Sequence, residues 1–232
     1  MATIELKEEL HSNTRRTRIT YRALIDGQEV AIKCYRKPLF GLIHWLRALS
    51  RGKKIRRAGG PVPGIVYAGW VQKLQCFGFA TEFLSGYQSM REVLRSASEK
   101  SEKARVVELL ELLGHSVADL HKLGIEQLDC NLTNYLINAY DVIRMVDEDD
   151  VRLHPRGLSE SLALTNLANL GARLPPGDMP RILHKAYLDA WGESPGELRS
   201  DTESFEHRVF KKKQMLRIKR AARDAAPDRE FD

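Results

Sequence analysis

Asp129 and Asn134 stand five positions apart in the stretch "DCNLTN", and Asp147 follows after two short apolar runs. A positioned carboxylate can take a proton from a hydroxyl. Carboxylate and amide oxygens also suit a hard divalent cation. Lys33, closing the run "VAIK", could set a fixed positive charge beside an anion. Taken singly, each residue has an ordinary explanation. Asp and Asn in loops bond their own backbone, a strand lysine lays its stem on apolar surface with its head in water, and "DEDD" over Asp147–Asp150 is a solvated acidic turn. Chemistry would lie in the combination and in the elements that hold it.

The N-terminal third reads as strands. "ITYRALIDGQEVAIKCY" is two apolar-rich runs around Asp26-Gly27, residue types that tolerate the positive φ of a tight hairpin turn. "PLFGLIHWLRALSRGKKIRRAGG" spaces Leu42, Trp45, Leu46 and Leu49 at helical intervals and stops at Gly59-Gly60. "IVYAGWVQKLQCFGFATEFL" returns to strand residues and predicts a second hairpin, so roughly five strands carry one inserted helix.

From Ser89 the pattern becomes helical. "MREVLRSA" predicts a short helix. The stretch after it predicts a long one, capped by Ser101 and burying Val106, Leu109, Leu110, Leu113, Val117 and Leu120. "NYLIN" and "DVIRMVD" read as two short strands, and "LSESLALTNLANLGARL" and "MPRILHKAYLDAWGES" as two further helices. The expected plan is an α+β chain in two lobes. Residues 1–82 form a sheet-rich lobe with one basic helix, 83–200 a helical lobe holding the polar loop, and 201–232 a basic tail. Ligand sites favour clefts between lobes.

Composition narrows the class. Of the 232 residues, 43% are hydrophobic, enough for a core. The charged opening "MATIELKEELHS" argues against a secretory signal, and no apolar run has the length of a membrane span. Three dispersed cysteines, Cys34, Cys76 and Cys130, make neither a metal spacing nor a disulfide framework, as expected of a reducing cytoplasm. The net charge is +6 and unevenly placed. Val30 to Thr81 contains no acid, and neither does His207 to Arg223. Such blocks attract polyanions: a phosphorylated glycolipid, an anionic membrane or, as the lesser expectation, nucleic acid. Phe40 and Trp45 lie in the first block, and Phe210, Leu216 and Ile218 in the second. Trp45 could either meet lipid or pack on the sheet of its own lobe.

In order and spacing, "VAIK", "DCNLTN" and "VDED" resemble the protein-kinase superfamily, with its strand lysine, its D-x-x-x-x-N loop and its metal-binding Asp after a strand pair. Within it, the chain is most similar to the lipopolysaccharide-core sugar kinases that act on Kdo and heptose. The similarity spans Ile19 to Trp191 and includes "TEFLSG", "LHKLGI", "NLANL", "AYLDAW" and a short D-x-D-D in place of D-F-G. It implies a two-lobed kinase-like fold, ATP and Mg²⁺ as cofactors, and an anionic glycolipid acceptor met at the cytoplasmic face of the inner membrane. It also assigns roles. Lys33 would meet the inner phosphates, Asn134 and Asp147 the Mg²⁺, Asp129 the acceptor hydroxyl, and the backbone from Glu82 to Leu84 the adenine edge.

The departures shape the alternatives. No glycine-rich loop precedes the first hairpin, so Ser12, Asn13 or an arginine would cover the phosphates. Gln127 replaces the usual histidine before the loop aspartate, which is expected to remove a scaffold contact. The inserted helix has no acid to partner Lys33. Asp147, directly after its strand, is the expected metal ligand over Asp149. A protein kinase and a nucleotide-binding pseudokinase therefore stand beside the sugar-kinase expectation.

Overall fold

A computed structural model describes residues 2–13, 15–192, 202–222 and 231. The chain is mixed α+β and divides into two compact units, 1–85 and 86–232.

The first unit is a five-stranded antiparallel sheet with one helix. Its strands are β1 (Ile4–Ser12), β2 (Arg18–Ile25), β3 (Gln28–Tyr35), β4 (Ile65–Val71) and β5 (Cys76–Glu82), arranged β1-β2-β3-β5-β4. The β2–β3 turn has φ 49° at Asp26 and 87° at Gly27, the left-handed pair that lets two strands twist into register. One sheet face buries Val30, Ile32 and Cys34 with Val71, Cys76 and Ala80. Helix α1 (Pro38–Arg57) covers the other. There Ala48, with Trp45 and Leu49 beside it, packs on Tyr35 and Phe79. Trp45 thus belongs to its own sheet, stacked on Phe77 at 5.0 Å and donating Nε1–H to the Gly78 carbonyl at 2.9 Å.

The second unit begins with β6 (Gln88–Ser89), α2 (Met90–Glu99) and α3 (Lys103–Lys122). Ser89 and Glu92 form a reciprocal cap at the start of α2. All six residues of the expected α3 stripe are buried. Ser101 does not cap this helix: its φ is 59°, and Glu102 holds the cap position without a side-chain bond. A left-handed turn reverses the chain there, so the serine side chain is not aligned with the first amides. Next come β7 (Ile125–Gln127), β8 (Tyr135–Ile137), β9 (Ile143–Met145), β10 (Val151–Leu153), α4 (Glu160–Gly171) and α5 (Met179–Trp191). Strands β6, β8 and β9 form one small sheet and β7 with β10 another. Helices α3 and α5 lie close because Gly114 has no side chain; a Cβ there would stand 2.8 Å from that of Ala186.

Part of the segment read as a basic tail is helix α6 (Thr202–Ala221). It docks on its own unit through Phe205 and Val209. The Phe205 ring stacks on His184 at 4.1 Å, and Phe205 and Val209 lie over Gly171. The boundary expected at 200/201, and Arg223 in the second basic block, lie outside the described residues. Among those described, no helix is long and apolar enough to cross a membrane.

Candidate functional site

In the first unit, Lys33 sits directly opposite Thr20 on β2 and Phe79 on β5. Opposite residues of antiparallel strands share a face. Lys33 is therefore half-buried on the side covered by α1, a helix with no acid in its sequence.

The strand that ends at Glu82 has few free amides. Phe83 donates to the Glu29 carbonyl at 3.3 Å, which makes Val30 and Glu82 a non-hydrogen-bonded pair and turns the backbone of Glu82 away from β3. The Glu82 amide goes to the Gly64 carbonyl at 2.9 Å, and its carboxylate accepts from the Gly64 amide at 3.0 Å. Ser85 donates to the Phe83 carbonyl at 3.0 Å. Among the described residues, the Leu84 amide is left as the donor of this segment without a backbone acceptor. A planar ring with an acceptor nitrogen could use it.

In the β1–β2 turn the side chains of Ser12 and Asn13 have local partners. The Asn13 side chain is engaged locally: its Oδ1 accepts from the amides of Thr17 at 2.9 Å and Arg18 at 3.0 Å, and its Nδ2 donates to the Thr17 hydroxyl at 2.9 Å. Glu9 accepts two bonds from Arg16, at 3.0 and 2.6 Å, and a further one from the Ser12 hydroxyl; together these hold its carboxyl below the ordinary value. Asn13 and Ser12 build the turn. Arg15 is exposed there and could also meet an anion.

In the second unit, the short strands bring three expected residues into one framework. The Asn134 carbonyl accepts from Val146 N–H at 2.8 Å, and Tyr135 faces Met145. Asn134 and Asp147 thus occupy the open end of one hairpin. Asn131 closes the turn before it, its Oδ1 accepting from the Thr133 amide at 3.0 Å. Asp147 has φ 62° and Cys130, next to Asp129, has φ 46°. Left-handed backbone at non-glycine residues costs about 1–2 kcal/mol each and is held only by a well-determined surround.

Gln127 supplies that surround. It is buried, and its Nε2 donates to the carbonyls of Val146 at 3.4 Å and Asp147 at 3.3 Å, while its Oε1 accepts from the Asp129 amide at 3.3 Å. Gln127 therefore makes a scaffold contact at this position, because an amide can donate to the segment after β9 and accept from the loop after β7. Cys130 adds a bond from its thiol to the Gln127 carbonyl at 2.9 Å. Burial pushes that thiol up to about 12, so it stays protonated and donates.

Behind Gln127 runs a buried polar chain that single-residue reasoning did not find. The Tyr187 hydroxyl bonds His121 Nδ1 at 2.9 Å, His121 Nε2 bonds Asn166 Oδ1 at 3.1 Å, and Asn166 Nδ2 donates to the Gln127 carbonyl at 2.9 Å. The last bond sets the Asn166 amide, so His121 donates from Nε2 and accepts from the tyrosine at Nδ1. Burial takes His121 down to about 4, which keeps the ring neutral as this tautomer requires. The signal was present in "LHKLGI", "NLANL" and "AYLDAW", but nothing in the spacing said that they meet.

Arg173, just past α4, also escaped the sequence. Its buried guanidinium donates to the Asp129 carbonyl at 2.8 Å and pairs with Asp129 Oδ1 at 3.5 Å, while about half of the Asp129 side chain stays exposed. Asp129 is thus held from behind and open in front.

Asn134 and Asp147 offer hard oxygens, as Mg²⁺ prefers. Asn134 is buried, and among the described residues its Nδ2 has no hydrogen-bond partner, so the framework does not require that end of its amide. Among the described residues no group of three or more His, Cys, Asp or Glu could hold a metal ion. Two protein ligands fit Mg²⁺ arriving with phosphates and water, the usual arrangement for nucleotide-bound Mg²⁺. No protein-family model matches this chain, and no curated protein matches it.

Proposed function

We propose that the chain is an ATP-dependent phosphotransferase with a kinase-like fold, moving the γ-phosphate to a sugar hydroxyl of the lipopolysaccharide inner core. The observation that carries the reading is the Gln127 framework. One buried amide side chain holds the backbone of both Asp129 and Asp147, with Asn134 at the same hairpin end. Turn formers in a solvated loop need no such support.

In this reading Asp129 accepts the proton of the acceptor hydroxyl as its oxygen attacks the γ-phosphorus and the bond to the bridging oxygen of the diphosphate breaks. Arg173 holds the carboxylate in place. Asn134 and Asp147 hold Mg²⁺, which when bound offsets the charge of the triphosphate. Lys33 adds a positive charge at the inner phosphates, and the Leu84 amide meets the adenine edge. The acid-free blocks suit an anionic glycolipid acceptor in an anionic leaflet.

The absence of any acid from α1 favours a second reading, a module that binds nucleotide without transferring phosphate. A protein acceptor is the third. A pair of measurements separates them: single-turnover transfer from labelled ATP to purified core glycolipid or to protein extract, and nucleotide titration with and without Mg²⁺. Asp129→Ala should lose about 10²–10⁴ in rate while keeping nucleotide affinity. Asp147→Ala should lose both transfer and Mg²⁺-dependent affinity. Unchanged transfer in Asp129→Ala would make that residue a turn former. Nucleotide binding by wild type without transfer to any acceptor would favour the binding module.

A further inference from the structure

Helix α1 has an outer face that the sheet does not use. Ala48 and Ile55 point inward and are fully buried, with Trp45 beside them. On the outside, Phe40 is 65%, Ile43 45% and Leu46 50% exposed, with Leu42 close behind. The exposed cations Arg47, Lys53, Lys54 and Arg57 follow along the helix. The outer face is thus divided along its axis, apolar in the first turns and basic in the rest.

A second feature borders the apolar end. Trp70, on the edge strand β4, is 45% exposed and packs edge-on against Phe77 at 5.1 Å, the ring that stacks on Trp45. Its Nε1 donates to Gln72 Oε1 at 3.1 Å. A half-exposed indole with a satisfied polar edge is suited to a boundary between apolar and wet surroundings.

We propose that the outer face of α1, with Trp70, is a docking surface for an anionic phospholipid bilayer. Phe40, Ile43 and Leu46 enter the acyl boundary, and the cations behind them lie among the headgroup phosphates. Charge and apolarity select this occupant together. The helix has no acid to repel the surface, and a nucleic acid backbone would leave three large aliphatic and aromatic side chains in water. Interfacial helices combine such an apolar stripe with lysine and arginine. The inference does not depend on phosphotransfer, since none of these residues has a role in the proposed chemistry.

The test is co-sedimentation of the full chain with phosphatidylglycerol–phosphatidylcholine vesicles and with phosphatidylcholine alone, at low and high salt. Binding should need the anionic lipid and weaken in salt. Lys53→Gln with Lys54→Gln should lower partitioning about 25-fold, from about fivefold per cation near the surface. Ile43→Ser with Leu46→Ser should lower it at least tenfold, and the Trp fluorescence shift on binding should shrink. Both pairs are exposed, and an unchanged circular dichroism spectrum confirms that each variant is folded. A thermal shift with ATP and Mg²⁺ in the same variants reports separately on nucleotide binding and should match wild type. Vesicle binding untouched by either pair, or absent at low salt, overturns the proposal. So does duplex DNA binding that the lysine pair abolishes and the Ile43/Leu46 pair leaves intact, if vesicles bind more weakly.

Discussion

Acid should weaken the second unit through His121. In the folded chain burial lowers this ring to about 4, against an ordinary value of 6.5 when unfolded. Because the folded value is the lower one, the contribution is complete above about pH 6.5 and is lost as pH falls toward 4. At pH 5 the unfolded chain holds nearly a full proton at this site and the folded chain almost none. Linkage then gives a loss of about 2 kcal/mol relative to pH 7.5, approaching about 3 kcal/mol by pH 4. In melting temperature this is about 4–8 °C at pH 5 for a chain of this size. The structural cause is specific. A protonated ring cannot accept the Tyr187 hydroxyl, so the chain of bonds through Asn166 to Gln127 fails at its first step. The assay is urea unfolding of wild type and His121→Gln at pH 7.5 and pH 5. Other groups titrate in both proteins, so the informative quantity is the difference between the two losses. Wild type should lose about 2 kcal/mol more than the variant. Equal losses would show that His121 is already protonated in the folded state or is not coupled to the buried chain.

Gln127→Ala should lower phosphotransfer more than it lowers nucleotide affinity, and Gln127→His should restore part of it by offering one ring N–H to the Asp147 carbonyl; equal activity in wild type and alanine variant would remove Gln127 as a positioning residue. Gly124→Ala should destabilise the second unit by at least about 2 kcal/mol in a urea titration, since φ there is 75° and a Cβ would fall 2.0 Å from the His154 carbonyl oxygen. Arg173→Met should slow single-turnover transfer more than it lowers nucleotide affinity, as expected of a residue that bonds Asp129.

Much of the first unit could be read locally. Asp26-Gly27 specifies a tight hairpin because both residues accept left-handed backbone, and the β2–β3 register follows from it. The helical spacing of Leu42, Trp45, Leu46 and Leu49 predicts α1, and the α3 stripe predicts a buried face that the structure has in full. These are signals of period and turn chemistry carried within a few residues. Ser101 failed because a cap depends on backbone direction, which residue type alone does not set. Helix α6 was read only as charge because two residues, Phe205 and Val209, anchor it, too few to make a periodic stripe. The candidate site divides in the same way. Asp129, Asn134 and Asp147 were visible as residue types at a spacing. What holds them was not: Gln127 reaches Val146 and Asp147, Asn166 reaches Gln127, His121 reaches Tyr187, and Arg173 reaches Asp129. Each of those bonds joins residues far apart in sequence. A buried polar group must find a partner wherever the packed chain supplies one, and only the tertiary structure decides which partner that is.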